Sequence, residues 1–202
     1  MTAPVVSAWN LANYLTVARL LLVPVFLVIL LAEDGQDPVW RCAAAAVFLL
    51  AAWTDRIDGQ IARSRGLITS FGKMADPIAD KALTGGAFLA LSALGELDWW
   101  ITLLVLGREL GITLLRFFVI RHGVMPASRG GKLKTILQAT ALVMYVLPLT
   151  GLLATLRAWV MVLAVVVTVV TGLDYVVRAL HLRRTSERTA RKQELRREQA
   201  EP

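Results

Sequence analysis

Long blocks of apolar residues, separated by short polar connections, make up most of the chain. The apolar residues do not form the narrow stripes of amphipathic helices, and such blocks are typical of helices whose outer surface is solvated by lipid. The pattern therefore predicts an all-α, polytopic membrane protein. Its six expected transmembrane helices cover residues 15–32, 40–54, 82–94, 99–120, 136–153 and 158–177.

Charges in the connections between these helices predict an orientation. Glu33, Asp34 and Asp37 lie in the first connection and the third is also acidic, whereas Arg and Lys are concentrated in the second and fourth. By the positive-inside rule the second and fourth connections are cytoplasmic, so six spans place both termini in the cytoplasm. The expected organisation is a membrane domain of residues 1–182 followed by a charged cytoplasmic tail of residues 183–202.

Composition favours a membrane surface, and not nucleic acid, as the partner of the basic residues. The chain has 202 residues, which predicts a single domain, and 56% of them are hydrophobic. The formal net charge is +7, but the basic residues lie between apolar blocks and in the tail. That distribution is typical of contact with anionic membrane lipids.

Two of the apolar blocks are too short to cross a bilayer. Residues 42–54 and 82–94 are 13 residues each, or about 20 Å of helix, against a hydrocarbon core about 30 Å thick. Both helices must therefore continue at their cytoplasmic ends, and both continue into aspartates. Two follow the second block and two precede the third: Asp55, Asp58, Asp76 and Asp80.

The spacing of these four aspartates predicts a metal site. The members of each pair are three or four residues apart and share a helix face. The two helices are expected to be antiparallel neighbours, joined by a loop containing Gly66 and Gly72. One ionised side chain at the bilayer centre costs at least about 2.5 kcal/mol, so cations must compensate the cluster. All-oxygen ligation favours Mg²⁺ or Mn²⁺, and two such ions would neutralise four carboxylates.

Residues beside the first aspartate pair favour a diphosphate ligand. Gly59 lets a ligand approach the backbone closely because it has no Cβ, and Ala62, one turn further on, keeps that face shallow. Arg63 supplies a fork of donors suited to a diphosphate. The alternative is a solvated loop in which the acids pair with neighbouring basic residues, namely Arg56, Arg63, Lys73 and Lys81.

The whole segment resembles the signature of the CDP-alcohol phosphotransferases. From residue 55 to residue 80 it reads Asp-x2-Asp-Gly-x2-Ala-Arg-x8-Gly-x3-Asp-x3-Asp, with every fixed position present. The resemblance implies a six-helix membrane fold, usually homodimeric, whose divalent-metal site opens to the cytoplasm. It implies that Asp55, Asp58, Asp76 and Asp80 hold the metals and that Asp80 is also the catalytic base. It further implies that the CDP-lipid contacts Gly59, Ala62, Arg63 and Thr69.

Charged residues in the fourth and fifth blocks are candidates for binding the second substrate, because charges within apolar sequence are functional candidates. Glu109 and Arg116 lie about 20° apart around a helix and can form a salt bridge. Arg108 lies off that line and needs another partner, such as a substrate phosphate. Lys132 and Lys134 open the fifth helix, where two lysines favour an anion, although either alone can be an anchor at the cytoplasmic surface.

These segments resemble bacterial phosphatidylglycerophosphate synthases over about residues 10–150. The resemblance rests on Asn13-x-Leu15-Thr16-x2-Arg19, Ala75-Asp76-Pro77-x-Ala79-Asp80-Lys81, Arg108-Glu109-Leu110 with Leu115-Arg116, and Gly131-Lys132-x-Lys134-Thr135. It implies CDP-diacylglycerol and glycerol 3-phosphate as substrates, in the cytoplasmic membrane of a bacterium. The CDP-lipid is then also expected to contact Asn13 and Thr16, and the acceptor phosphate to contact Arg108, Arg116, Lys132 and Lys134.

Other functions make different demands on the sequence. Another acceptor, such as inositol phosphate, or phosphatidylglycerol in cardiolipin synthesis, would leave the aspartate segment unchanged. Intramembrane prenyltransferases also bind diphosphates through aspartates, but their two motifs lie far apart, whereas here all four acids fall within 26 residues. A cation channel or transporter predicts acids or polar residues that continue toward the outer face, and residues 42–54 and 82–94 are almost entirely apolar.

Overall fold

The computed structural model of the chain describes the backbone of residues 11–64, 69–119 and 129–198, and the side chains of residues 13–54, 69, 72, 75–115 and 130–181. Within these ranges the regular structure is entirely helical, so the all-α prediction is confirmed. A short 3₁₀-helix, Ala32–Gly35, follows the first α-helix. The α-helices are α1 (Leu11–Leu31), α2 (Pro38–Ser64), α3 (Ser70–Ala93), α4 (Trp99–Val119), α5 (Arg129–Val146) and α6 (Gly151–Glu198).

Two described segments are long and apolar enough to cross a membrane, namely Asn13–Gly35 and Gly151–His181. A shorter apolar stretch, Pro38–Thr54, lies in α2. Large apolar side chains point outward on both long segments; Val28 is 71% exposed and Leu173 is 62% exposed. Hydrocarbon solvates such side chains, whereas water does not. Six spans with cytoplasmic termini remain a prediction.

The two helices that carry the aspartates are longer than their apolar blocks, as the sequence predicts. α2 continues to Ser64, and α3 begins at Ser70. The predicted loop between them is wrong in one respect, because Gly72 lies in the first turn of α3. Thr69 is the reason: its Oγ1 accepts a hydrogen bond from the backbone N–H of Gly72 at 3.0 Å and caps the helix.

The boundary between the last two helices differs from the prediction. The apolar pattern places the fifth helix at 136–153 and the sixth at 158–177, but α5 ends at Val146 and α6 begins at Gly151. Pro148 lies between them and has no backbone N–H to continue a helix. Gly151 has a φ of +59°, a conformation that favours glycine. α6 continues to Glu198 and includes most of residues 183–202, whose separation as a tail remains a prediction.

The chain divides into two compact units. The first contains residues 1–102 and 139–160, and the second contains residues 103–138 and 161–202. In the first unit, α1 packs against α2 and α3. The rings of Phe26 and Phe48 are fully buried there, with centroids 5.4 Å apart. This aromatic contact fixes α1 against α2.

Arg41 ties three segments of the first unit together. Its Nε donates to the carbonyl of Val146 at 2.9 Å and its Nη2 to the carbonyl of Tyr145 at 2.5 Å, which satisfies acceptors at the end of α5. Its Nη1 lies 2.5 Å from Oε1 of Glu96. The other oxygen of Glu96 accepts from Arg157 at 3.1 Å, and the Arg157 guanidinium lies 4.8 Å from the Tyr145 ring centroid. Glu96 is therefore shared between two arginines.

Candidate active site

The four aspartates of the signature are divided between α2 and α3. Asp55 and Asp58 lie in α2, and Asp76 and Asp80 lie in the second and third turns of α3. The structure does not describe the side chains of the predicted site residues on α2. The described part of the site is therefore formed by α1 and α3. The residues concerned are Asp55, Asp58, Gly59, Ala62 and Arg63.

The start of α3 is joined to the start of α1 by a buried hydrogen bond. Oγ1 of Thr69 donates to Oδ1 of Asn13 at 2.9 Å, and both side chains are buried. A Cβ at Gly72 would lie 3.0 Å from that same Asn13 oxygen and 3.3 Å from Thr69 Oγ1. A side chain at position 72 would therefore crowd the contact between Asn13 and Thr69, so the close approach of the helices favours glycine there. The sequence pattern assigns Gly72 to a loop, whereas in the structure it is a point of close approach between α1 and α3.

A second link joins α1 directly to an aspartate of the signature. Oγ1 of Thr16, which is 2% exposed, donates to Oδ1 of Asp76 at 2.7 Å. Asp76 is half-buried, and Asp80, one turn further along α3, is exposed. The hydrogen bond orients the Asp76 carboxylate and leaves lone pairs on its second oxygen, Oδ2. We call the residues Asn13, Thr16, Thr69, Gly72, Asp76 and Asp80 the α1–α3 site.

Three polar side chains of α1 are buried at successive turns of one face. They are Asn13, Thr16 and Arg19, spaced three residues apart, and Arg19 is fully buried. The sequence predicts Asn13, Thr16 and Thr69 as ligands of a CDP-lipid, and the structure brings all three together at the start of α3. Asn13 and Thr69 contact each other, and Thr16 contacts Asp76. Each of these side chains therefore helps to hold the site together. Contact with the CDP-lipid remains a prediction.

The donors of the α1–α3 site fit a hard divalent cation. Asp76 and Asp80 are one helical turn apart and offer carboxylate oxygens, the ligands that Mg²⁺ and Mn²⁺ prefer. The Thr16 hydroxyl bonded to Asp76 is the kind of second partner that orients a metal-binding carboxylate. Among the residues whose side chains are described, no three potential ligands form a group. A complete set would need Asp55 and Asp58 of α2.

A second polar cluster lies in the second unit, where α4 carries Arg108 and Glu109. Oε1 of Glu109 accepts from Arg108 Nη1 at 3.1 Å and also from the Lys134 ammonium of α5. All three side chains are largely buried, with exposed fractions of 12% for Arg108, 24% for Glu109 and 9% for Lys134. One carboxylate thus contacts two cations.

α6 completes this cluster on the other side of Arg108. Nη2 of Arg108 lies 3.1 Å from Oγ1 of Thr171, and its guanidinium carbon lies 5.9 Å from the Tyr175 ring centroid. A Cβ at Gly172 would lie 3.2 Å from Cγ of Arg108, so glycine allows the arginine to lie close to α6. We call Arg108, Glu109, Lys134, Thr171 and Tyr175 the Glu109 cluster.

The described contacts give Glu109 two partners that helical spacing does not indicate, and a salt bridge to Arg116 remains a prediction. The sequence favours Arg116, seven residues along, whose side chain lies outside the described residues, and it sets Arg108 apart. The structure pairs Glu109 with Arg108 and Lys134, because a long arginine side chain can fold back toward its neighbour. The predicted phosphate ligands Lys132 and Lys134 also separate, since Lys132 is exposed and Lys134 is buried.

The contribution of α6 to this cluster was missed from the sequence. The sequence feature that could have indicated it is a row of hydroxyl-bearing residues at helical spacing in a largely apolar segment: Thr168, Thr171 and Tyr175. Thr168 accepts a hydrogen bond from Gln138 of α5 at 2.9 Å. Such a row predicts a buried polar face, but it does not indicate that Arg108 is the partner.

Comparison with known protein families decides the class of the chain. The CDP-alcohol phosphatidyltransferase family matches residues 9–170, which include the aspartate segment, Arg108, Glu109 and Lys134. The chain belongs to this family. It is therefore a transferase, as the aspartate segment predicts, and not a channel or transporter. Thr171 and Tyr175 lie just beyond the matched residues.

Curated relatives are similar along most of the chain. A probable phosphatidylglycerophosphate synthase of Mycobacterium tuberculosis is 54% identical over 171 residues, covering 85% of this chain and 82% of the relative. The CDP-diacylglycerol–glycerol-3-phosphate 3-phosphatidyltransferase of Bacillus subtilis is 37% identical over 183 residues, covering 83% and 93%. The enzyme of that name from Escherichia coli is 34% identical over 140 residues, covering 66% and 75%.

Proposed function

We propose that this enzyme transfers the phosphatidyl group of CDP-diacylglycerol to glycerol 3-phosphate, giving phosphatidylglycerophosphate and CMP. The observation that carries the proposal is the 54% identity to a probable phosphatidylglycerophosphate synthase over 85% of the chain. Two features of the chain support it: the complete aspartate signature and a buried cluster with more cations than anions. A phosphorylated alcohol suits such a cluster, because its phosphate is a strong acceptor for Arg and Lys.

The α1–α3 site is proposed to handle the CDP-lipid. Asn13, Thr16 and Thr69 order the start of α3 and orient Asp76. On α2, the diphosphate is proposed to contact three residues whose side chains the structure does not describe: Gly59, Ala62 and Arg63. Divalent ions, two Mg²⁺ or Mn²⁺, held by Asp55, Asp58, Asp76 and Asp80 would make the lipid-side phosphorus more electrophilic and stabilise the departing CMP.

Asp80 is proposed as the general base. It accepts the proton of an acceptor hydroxyl while that oxygen forms a bond to the lipid-side phosphorus. The bond between this phosphorus and the bridging oxygen of the diphosphate breaks, and the electron pair leaves with CMP. Asp80 suits this role because it is exposed on α3, one turn from the oriented Asp76. The acceptor phosphate is assigned to Arg108 and Lys134, with Lys132 and Arg116 as further ligands.

The enzyme is proposed to span the cytoplasmic membrane of a bacterium six times, with both termini and the active site on the cytoplasmic side. Two apolar segments of sufficient length and the outward apolar side chains support membrane insertion. The acidic first and third connections and the basic second and fourth support the orientation. Contact with anionic lipids follows from the basic residues, and a homodimer is proposed from the resemblance to the family.

An acceptor panel tests the proposal. Purified protein in lipid nanodiscs would be given CDP-diacylglycerol, Mg²⁺ and one alcohol at a time, with CMP release as the readout. We expect release only with glycerol 3-phosphate, and none in excess chelator until Mg²⁺ or Mn²⁺ is restored. Equal release with inositol phosphate or phosphatidylglycerol would contradict the acceptor, and full activity in chelator would contradict the metal.

A further inference from the structure

Among the described residues, the Glu109 cluster of the second unit contains more cations than anions. Arg108 and Lys134 both contact the same oxygen of Glu109, so two cations share one anion. Burying a cation is costly unless its charge and its donors are matched, and one carboxylate matches the charge of only one of these two cations. The surplus charge therefore indicates a site that receives a further anion.

Arg108 is held in place, and one of its buried donors is unsatisfied among the described residues. Nη1 is bonded to Glu109 and Nη2 to Thr171, while Tyr175 lies under the guanidinium. Within the part of the chain that the structure describes, the Nε of Arg108 is buried and has no hydrogen-bond partner. A buried donor of this kind is costly to leave unsatisfied, so it is an unusual feature of a purely structural contact.

We propose that Glu109 is a positioning residue for the acceptor phosphate. Its carboxylate holds the Arg108 guanidinium and the Lys134 ammonium at one point, although the two cations repel each other. Thr171 and Tyr175 of α6 fix the other side of Arg108. The phosphate is bound by the surplus charge of this arrangement, and Glu109 acts through the two cations without touching the substrate. The inference rests on the proposed function and extends it to residues that have no assigned role.

The same chain provides a matched control for a carboxylate shared by two cations. Glu96 in the first unit contacts Arg41 and Arg157, but Arg41 also donates to the carbonyls of Val146 and Tyr145. That cluster satisfies the end of a helix and is structural. Glu96→Gln and Glu109→Gln therefore remove the same charge from the same kind of contact, and only Glu109→Gln is expected to affect the acceptor.

The test uses the full-length enzyme in nanodiscs with both substrates varied separately. In Glu109→Gln we expect the KM for glycerol 3-phosphate to rise at least about tenfold, while the KM for CDP-diacylglycerol stays unchanged. Glu96→Gln is expected to lower thermal stability and leave both KM values unchanged. An equal rise in the KM for CDP-diacylglycerol would assign the cluster to the donor phosphates and overturn the proposal, as would an unchanged acceptor KM.

A double-mutant cycle tests whether Glu109 acts through Lys134. If it does, Glu109→Gln raises the acceptor KM by a smaller factor in the Lys134→Gln background than in the wild type, because only its action through Arg108 is left to lose. Independent, multiplying effects would overturn the positioning role. Thr171→Val replaces the threonine by a residue of similar shape and removes one hydrogen bond of Arg108. This variant tests the proposal independently if Glu109→Gln does not fold. We expect a several-fold rise in its acceptor KM, and no rise would count against the proposal.

Different measurements distinguish a wrong acceptor from a wrong role for Glu109. If wild-type enzyme releases no CMP with glycerol 3-phosphate, the proposed acceptor is wrong. The cluster is then tested by thermal unfolding with added inorganic phosphate. A site for a phosphate group predicts that phosphate stabilises the wild type and not Glu109→Gln. Equal stabilisation of both, or of neither, would overturn the inference.

Discussion

The hydroxyl of Thr16 donates a 2.7 Å hydrogen bond to Oδ1 of Asp76, and this bond ties α1 to the aspartate signature. Thr16 is almost fully buried, so water does not compete for the carboxylate at that point. Asp76 is thereby oriented by a residue 60 positions earlier in the chain. α1 has no carboxylate of its own, but through this hydrogen bond it orients a carboxylate of the proposed metal site.

Replacing Thr16 by valine should weaken metal binding. The substitution keeps the shape of the side chain and removes the donor, so Asp76 loses the partner that orients it. Partners of metal-binding carboxylates typically affect metal affinity or activity about 10–100-fold, and we expect the Mg²⁺ concentration for half-maximal activity to rise by at least about tenfold. Thr16→Ser, which retains the hydroxyl, is the control. An unchanged Mg²⁺ dependence in Thr16→Val would show that the hydrogen bond has no such role.

Replacing Asp80 by asparagine should abolish turnover while the CDP-lipid still binds. The amide cannot accept the proton of the acceptor hydroxyl, and the loss of a general base typically costs about 10²–10⁴ in rate. CMP release and equilibrium binding of CDP-diacylglycerol would be measured on the same preparation. Asp174→Asn is the control, because Asp174 forms an exposed ion pair with Arg178 at 2.9 Å on α6. Near-normal turnover in Asp80→Asn would exclude Asp80 as the base.

Replacing Arg41 by methionine should destabilise the first unit without a direct effect on substrate binding. The change removes hydrogen bonds to Glu96 and to the carbonyls of Tyr145 and Val146. Breaking a buried ion pair costs about 3–5 kcal/mol, which corresponds to a fall in melting temperature of roughly 6–20 °C for a chain of this size. Thermal unfolding in nanodiscs measures the loss. An unchanged melting temperature would show that Arg41 does not stabilise the end of α5.

Deleting residues 188–202 should leave catalysis largely intact. The family match ends at residue 170, and the deleted residues are charged and follow the apolar part of α6. Specific activity would be measured on protein shown to be folded and inserted in the membrane. A large loss of activity in such protein would mean that this segment contributes to the site or to the assembly.

Helix periodicity and the thickness of a bilayer explain what could be predicted. Asp76 and Asp80 share a face because any helix places residues four apart together. The extension of α2 and α3 past their apolar blocks follows from the thickness of a bilayer. The boundary between α5 and α6 was missed, because apolar content alone does not end a helix and the effects of Pro148 and Gly151 are local to the backbone.

The sequence by itself determined the family, the reaction class and the order of the aspartates, because these depend on residue types at fixed spacing. Only the tertiary structure decided that Thr16 binds Asp76, that Thr69 binds Asn13, and that Glu109 is shared by Arg108 and Lys134. The physical reason is that spacing along one helix sets the direction of each side chain, whereas its partner on another helix depends on how the helices pack.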